Sequence, residues 1–244
     1  MGRRKTVKAK LSENRCQGIG PDYVPFYKAN EGGSRGTTSL IPDKIEGRMI
    51  HCLSDTETMM YYLLRWNPNV IHIREQYLLD HDLINEVRRE LGYRPVSSMA
   101  QYTTDFLVDM ADASQSAYSV KFRREEFDPN ALCYRGREDA YRRLIERQRT
   151  EQVYWESQSV DFHIVTREDL MEHRILIKNI QFVMGFYDDA YVVNADQKLL
   201  YLIAHHVIEV SMDKEFINPR HLQHSLGLDI DSIYEQVRRE QRYG

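Results

Sequence analysis

Glu57, Asp105 and Lys121 have the residue types and spacing that hydrolysis of a phosphodiester would need. That chemistry calls for a cation that generates hydroxide, neutralises the phosphate and stabilises the leaving oxygen. Magnesium takes carboxylate oxygens and keeps several waters, so one or two acids suffice as protein ligands. A nearby lysine can orient the attacking water and stabilise charge gathering on the phosphate. Asp105 lies in TTDFLVD and Lys121 in YSVKF, sixteen residues on. Two strands joined by a short turn would bring both to one sheet edge, and side chains at 119 and 121 would share a face because strands repeat every second residue. Each residue also has a simpler reading. Ser54 and Glu57 form a complete S-x-x-E capping box, Asp105 follows two threonines and can end a turn, and Lys121 can open a solvated basic group with Arg123 and Arg124. On local pattern alone, an acid–x–lysine spacing is a weak motif.

The elements that must position these residues are legible in the middle of the chain. SDTE followed by TMMYYLLRW predicts a capped helix that ends before Pro68, with Glu57 in its first turn. VIHIREQYLL alternates like a strand, LINEVRRELGY is a short helix closed by Gly92, and QYTTDFLVDM is a second strand. SAYSVKF is its hairpin partner across ADASQS, residues 138–157 form a long amphipathic helix, and SVDFHIVT is one more strand. This order predicts an α/β fold with a mixed sheet flanked by helices. Beyond residue 167, REDLMEHRILIKNIQFVM, ADQKLLYLIAHHVIEVSM and DIDSIYEQVRREQR read as helices. PRHLQHSLGLDIDSIYEQVRR adds a helix, a glycine turn at Gly227 and a second helix, the outline of a helix-turn-helix or a plain helical hairpin. The expected organisation is an arm and loop region over 1–50, an α/β domain over 51–167 that carries the three candidate residues and a small helical, winged-helix or helix-turn-helix-like domain over 168–244.

Composition sets the outer limits. Apolar residues at 42 % and charged residues at 29 % are ordinary for a globular chain that can bury a core. No apolar run approaches the roughly 18 residues of a membrane span, and MGRRKTVKAK lacks the apolar stretch of a secretory signal. Met1-Gly2 with Thr6 is a bare match to an acylation pattern, against which the rest of the chain argues. Cys16, Cys52 and Cys133 stand apart, which argues against disulfides or structural zinc and for a reducing cytoplasm. His221 and His224 lack companion ligands and read as a solvated or hydrogen-bonded pair. A net charge of −4 would not suggest a nucleic-acid partner, but residues 1–15 hold Arg3, Arg4, Lys5, Lys8, Lys10 and Arg15 against Glu13. Such an arm can follow phosphates or simply keep the chain in solution.

RCQGIGPDYVPF, LSDTETMMYYLLRWNPNVIHIREQYLL, TTDFLVD, AYSVKF and QVYWESQSVDFHIVT, in that order over about residues 15–166, resemble the TnsA family. Those proteins are endonuclease subunits of heteromeric transposases with a core like that of type II restriction enzymes. The resemblance implies metal-dependent cleavage of the 5′ strand at transposon ends. It also implies double-stranded DNA, a recombinase-type subunit and an AAA+ ATPase regulator as partners, in a prokaryotic cytoplasm and away from membranes. Carried over by motif, Glu57, Asp105 and Lys121 are catalytic. Glu57 and Asp105 bind Mg2+ or Mn2+, two ions being expected, with Ser119 and the Val120 carbonyl beside the metal. Glu151 and Gln76 are supporting residues. DNA contacts are expected from Arg3, Arg4, Lys5, Lys8, Arg123 and Arg124. The sequence departs from the family at Ser119, where glutamine or glutamate is usual; a serine is a shorter, weaker ligand. That departure keeps a non-catalytic DNA- and protein-binding scaffold as an alternative, and a stand-alone restriction or repair nuclease is another. The C-terminal helices carry Arg238, Arg239 and Arg242 near Glu235 and Glu240, which makes no clean DNA-reading face, and the resemblance implies that this domain docks to the ATPase regulator.

Overall fold

The glycine-rich start of the chain, with no apolar period of its own, takes its order from buried charge. In the computed structural model, which describes residues 5–31, 37–188, 190 and 192–243, helix α1 (Val7–Ser12) is capped by the Thr6 hydroxyl. Arg15, 3 % exposed, pairs with Glu13 and Glu31 and donates to the Phe26 carbonyl at 2.8 Å. Tyr23 and Phe26 are buried. Strands β1 (Ser39–Asp43) and β2 (Arg48–Cys52) then form an antiparallel hairpin. The arm and loop region expected over residues 1–50 is therefore a folded part of the first unit over its described residues. Periodicity could not reveal this, because long-range ion pairs and two aromatic anchors hold it.

Helix α2 (Asp55–Trp66) begins at the Ser54 cap and stops at Asn67, before Pro68. Its Arg65 reaches Asp43 and Glu46, each at 2.9 Å, and Tyr61 Oη donates to Asp43 Oδ2 at 2.9 Å. These charges are almost fully buried. Removing one partner would leave an unpaired buried charge, at a cost on the order of 3–5 kcal/mol. The network seats the hairpin on α2.

Strand β3 (Val70–Leu78), helix α3 (His81–Glu90), strands β4 (Thr103–Met110) and β5 (Gln115–Lys121), helix α4 (Glu138–Ser157) and strand β6 (Asp161–Thr166) complete the α/β part. The sheet order is β3-β4-β5-β6, antiparallel except for the parallel β5–β6 pair, whose crossover is α4. This is the mixed sheet with flanking helices that the alternating segments predict. Leu107 and Ala117 from the sheet pack with Ile84 of α3 and with Tyr154 and Trp155 of α4 in one buried cluster. The β4–β5 turn is closed by a bond from Met110 N to Ser114 O and by Asp112, whose carboxylate accepts from Ser114 N.

The chain divides into two units, Met1–Met171 and Glu172–Gly244. Helix α5 (Arg167–Glu172) ends at that division, a few residues past the boundary expected at 167/168. The second unit holds α6 (Arg174–Met184), α7 (Ala195–Ala204), α8 (Pro219–Leu226) and α9 (Ile230–Tyr243), and the other three pack against α7. Leu199 to Ala204 are all buried. Two expected helices are shorter than read. The run from Arg167 breaks at His173. The run from Ala195 ends at Ala204, where His206 turns left-handed (φ 54°) and the amides of Val207 and Ile208 fold back to Leu202 O. Gly227 (φ 61°) makes the left-handed stop between α8 and α9. Among the described residues the second unit has no strand, so its helices lack the strands that a wing would require.

Candidate active site

The sheet ladder opens on both sides of Asp105. Toward β3 the register passes from Glu75↔Phe106 to Tyr77↔Thr104 without a Gln76–Asp105 pair. Toward β5 the last pair is Phe106↔Tyr118. The Asp105 side chain is held from both sides: its Oδ2 accepts from the backbone Val120 N at 2.6 Å and its Oδ1 accepts from the side-chain Gln76 Nε2 at 3.2 Å. Asp105 is thus held by both neighbours and remains about one-fifth exposed.

Glu57 reaches the same place from the first turn of α2. Its backbone N–H donates to Ser54 Oγ at 3.1 Å, completing the cap. Its carboxylate accepts from Ser54 Oγ (3.0 Å), Leu53 N (2.8 Å) and Gln76 Nε2 (3.3 Å). Capping and site reading are therefore both satisfied by one side chain. Burial, with the Asp105 charge second, pushes the Glu57 carboxyl up to about 8. Gln76 bridges the two acids with one amide group.

Lys121, at the end of β5, donates to Ser119 Oγ at 2.7 Å, and its Nζ lies 3.5 Å from Val120 O and 4.0 Å from Asp105 Oδ2. The structure thus brings Glu57, Gln76, Asp105, Ser119, Val120 and Lys121 together. Ser119 is 1 % exposed, and its hydroxyl anchors the lysine. Val120 enters through its amide on Asp105, with its carbonyl beside the ammonium. Glu151 lies behind this group on α4. Its Oε1 accepts from Thr104 Oγ1 at 2.5 Å, and Thr104 in turn accepts from Trp155 Nε1 at 2.8 Å. Burial raises the Glu151 carboxyl, and the nearby Lys121 charge opposes that rise.

The basic residues expected to follow DNA are less uniform. Arg3 and Arg4 lie outside the described residues. Lys5 pairs with Glu13, and Lys8 is exposed. Arg123 and Arg124 are exposed but pair with Glu125 and Asp169. Lys10 and Arg15, counted in the sequence as part of the basic arm, are buried in ion pairs. Sequence reading missed the residues around the Gln76 backbone, Cys16 and Phe26. The available signal was the pair Glu75-Gln76, two adjacent polar residues inside a strand.

Among the described residues no three His, Cys, Asp or Glu side chains converge as a metal cluster, so the acids available are the Glu57–Asp105 pair. Two carboxylates, one buried and raised and the other partly exposed, fit a hard cation that keeps much of its water shell. No helix of the described chain is long and apolar enough to cross a membrane.

Residues 67–167 match a family model described as the TnsA-like endonuclease N terminal, a span that contains Gln76, Asp105, Lys121 and Glu151 and begins after Glu57. The chain is 26 % identical over 220 residues to the transposon Tn7 transposition protein TnsA of Escherichia coli, covering 87 % of this chain and 73 % of that protein.

Proposed function

We propose that this chain, whose residues 67–167 match the TnsA-like endonuclease model and which is similar to Tn7 TnsA over most of its length, is a TnsA-like subunit of a heteromeric transposase that hydrolyses the 5′-strand phosphodiester at transposon ends with a divalent cation. The observation that carries this reading is the meeting of Glu57, Asp105 and Lys121 where the ladder opens around Asp105.

Glu57 and Asp105 would hold Mg2+, with Mn2+ as a substitute. The acids present suit one ion, and a second would draw its remaining ligands from DNA phosphate and water. When bound, the cation supplies a lowered water pKa and Lewis-acid stabilisation of the phosphate oxygens. Asp105 is pre-set for its part, because the Val120 amide fixes one oxygen and the Gln76 amide the other. Burial disfavours a negative charge on Glu57 and keeps its carboxyl raised to about 8 until a positive partner arrives. Lys121 offers a fixed ammonium beside Asp105, where it orients the attacking water or meets charge building on the phosphate. Ser119, in place of a longer ligand, keeps that ammonium in position.

The partners proposed are double-stranded DNA at transposon ends, a recombinase-type subunit that handles the other strand, and an AAA+ ATPase regulator. The helical unit, Glu172–Gly244, is proposed as the docking part for protein partners. Strand-specific cleavage of a labelled transposon-end duplex with Mg2+, with and without the recombinase partner, tests the reading. Partner-dependent 5′-strand cutting that Asp105→Ala abolishes is the expected result. Cutting that survives Asp105→Ala removes the residue assignment, and cutting without any partner points to a stand-alone nuclease.

A further inference from the structure

Between the two carboxylates lies a group that the chemistry above uses only to fix one oxygen of Asp105. Gln76 is 3 % exposed, donates to both acids and stands at φ 49°, a left-handed conformation uncommon outside glycine. An amide NH2 has two hydrogens, so one group can serve two acceptors. Here it draws together carboxylates that would otherwise repel. Asp105 Oδ1 keeps a second lone pair, and Glu57 keeps one on Oε1, which accepts only from Ser54 Oγ, so both acids can still accept from a cation.

The left-handed turn aims the amide. In a regular strand residues 75 and 76 point to opposite faces and each pairs in the ladder. Here both are buried, and the Gln76 rung is missing. The N-terminal segment takes up the backbone groups concerned. Tyr23 Oη donates to Glu75 O at 2.8 Å, and Phe26 N donates to Gln76 O at 3.2 Å. The Cys16 thiol donates to the same Gln76 carbonyl at 3.5 Å, and Leu78 N donates to Cys16 Sγ at 3.4 Å. Cys16 is itself left-handed (φ 62°), and its amide donates to Val24 O at 2.7 Å, closing the loop that presents the thiol. Strained backbone of this kind persists where its surroundings over-determine it. Four hydrogen bonds do so, three donated by Cys16, Tyr23 and Phe26 and one accepted by Cys16 from Leu78.

Resting on the reading of Glu57 and Asp105 as cation ligands, we propose that Gln76 is a positioning residue that sets the spacing of those carboxylates, and that the Arg15–Phe26 segment belongs to the site because it locks the Gln76 backbone. The segment read from sequence as a loop thereby acts on the metal site without touching it. Cys16 is the hinge of that action, since its sulfur both accepts and donates across the missing rung.

The test is Mn2+ binding to the full chain by calorimetry, without DNA, for wild type, Gln76→Gly, Cys16→Val and Cys16→Ser. Glycine adopts φ 49° freely, so Gln76→Gly removes the amide and keeps the turn. Substitutions behind metal ligands commonly weaken binding about 10- to 100-fold. A loss of that size is expected for Gln76→Gly and Cys16→Val, with wild-type circular dichroism. Cys16→Ser should recover part of the affinity, because a hydroxyl also donates and accepts. Wild-type affinity in Gln76→Gly overturns the positioning role, and wild-type affinity in Cys16→Val overturns the part given to the N-terminal segment. If Cys16→Val fails to fold, Cys16→Ala carries the comparison: weakened affinity in a natively folded Cys16→Ala supports the clamp, and wild-type affinity there overturns it. A wild-type chain that binds no Mn2+ removes the metal reading of Glu57 and Asp105, and the inference with it. That outcome is distinguishable because it appears before any substitution is made.

Discussion

At the residue scale, the two acids play unequal parts. Glu57 is buried and raised to about 8, whereas Asp105 is partly exposed and fixed by two amides. Glu57→Gln keeps the outline of the side chain and removes its charge. It should fold normally and lower cleavage on the order of 100-fold or more, measured as single-turnover rate at saturating Mg2+. Ser119→Ala removes the hydroxyl that anchors Lys121. A rate loss of roughly 10-fold with unchanged folding is expected, since the ammonium remains but is less well placed; no loss would mean that Ser119 has no part in the chemistry. His51 gives a pH prediction away from the acids. Burial first, then the Lys28 and Arg48 charges, lower its imidazole to about 4, and its Nδ1 accepts from Ala29 N at 3.2 Å. The unfolded chain then binds more protons between about 4 and 6.5. The His51 contribution to stability is therefore present above pH 6.5 and is lost as pH falls toward 4. The difference in melting temperature between wild type and His51→Gln should shift across that window and stay constant from pH 7 to 8.

At the element scale, α4 is both the crossover between β5 and β6 and the backing of the site. Its Trp155 donates to Thr104 Oγ1, and Thr104 donates to Glu151. Trp155→Phe removes one buried hydrogen bond and one ring of the buried indole, leaving a small cavity. A loss of about 1–3 kcal/mol is expected from the urea midpoint. The residues of α4 were legible in the sequence, and so was the β4–β5 pair, because each element is long, strongly periodic and bounded by local turn or capping residues. The Arg15–Phe26 segment was not legible. Its order depends on Arg15 meeting Glu31, Tyr23 meeting Glu75 and Cys16 meeting Gln76, contacts that no local window contains. The end of α7 was misread for a related reason. An apolar run continues through Val207 and Ile208, but a left-handed His206 folds those amides back onto the helix.

At the scale of the whole molecule, the division after Met171 separates an α/β unit that contains every residue of the candidate site from a helical unit with its own core around α7. A chain truncated after Met171 should keep the strand signature in circular dichroism and a cooperative melt, and should lose binding to protein partners in a pull-down with the ATPase regulator. Retained partner binding would place the docking surface in the first unit.

The sequence by itself determined the elements of the α/β unit, their order and the acids and lysine that could do chemistry, because period, capping and turn residues act over a few positions. The order of motifs also carried the resemblance to the TnsA family. Only the tertiary structure decided how those groups meet. Asp105 became a site because the ladder opens on both of its sides, and Gln76 reached both acids because its backbone turns left-handed under a segment some sixty residues earlier. Hydrogen bonds between groups that far apart depend on the folded path of the chain, and no local pattern specifies them.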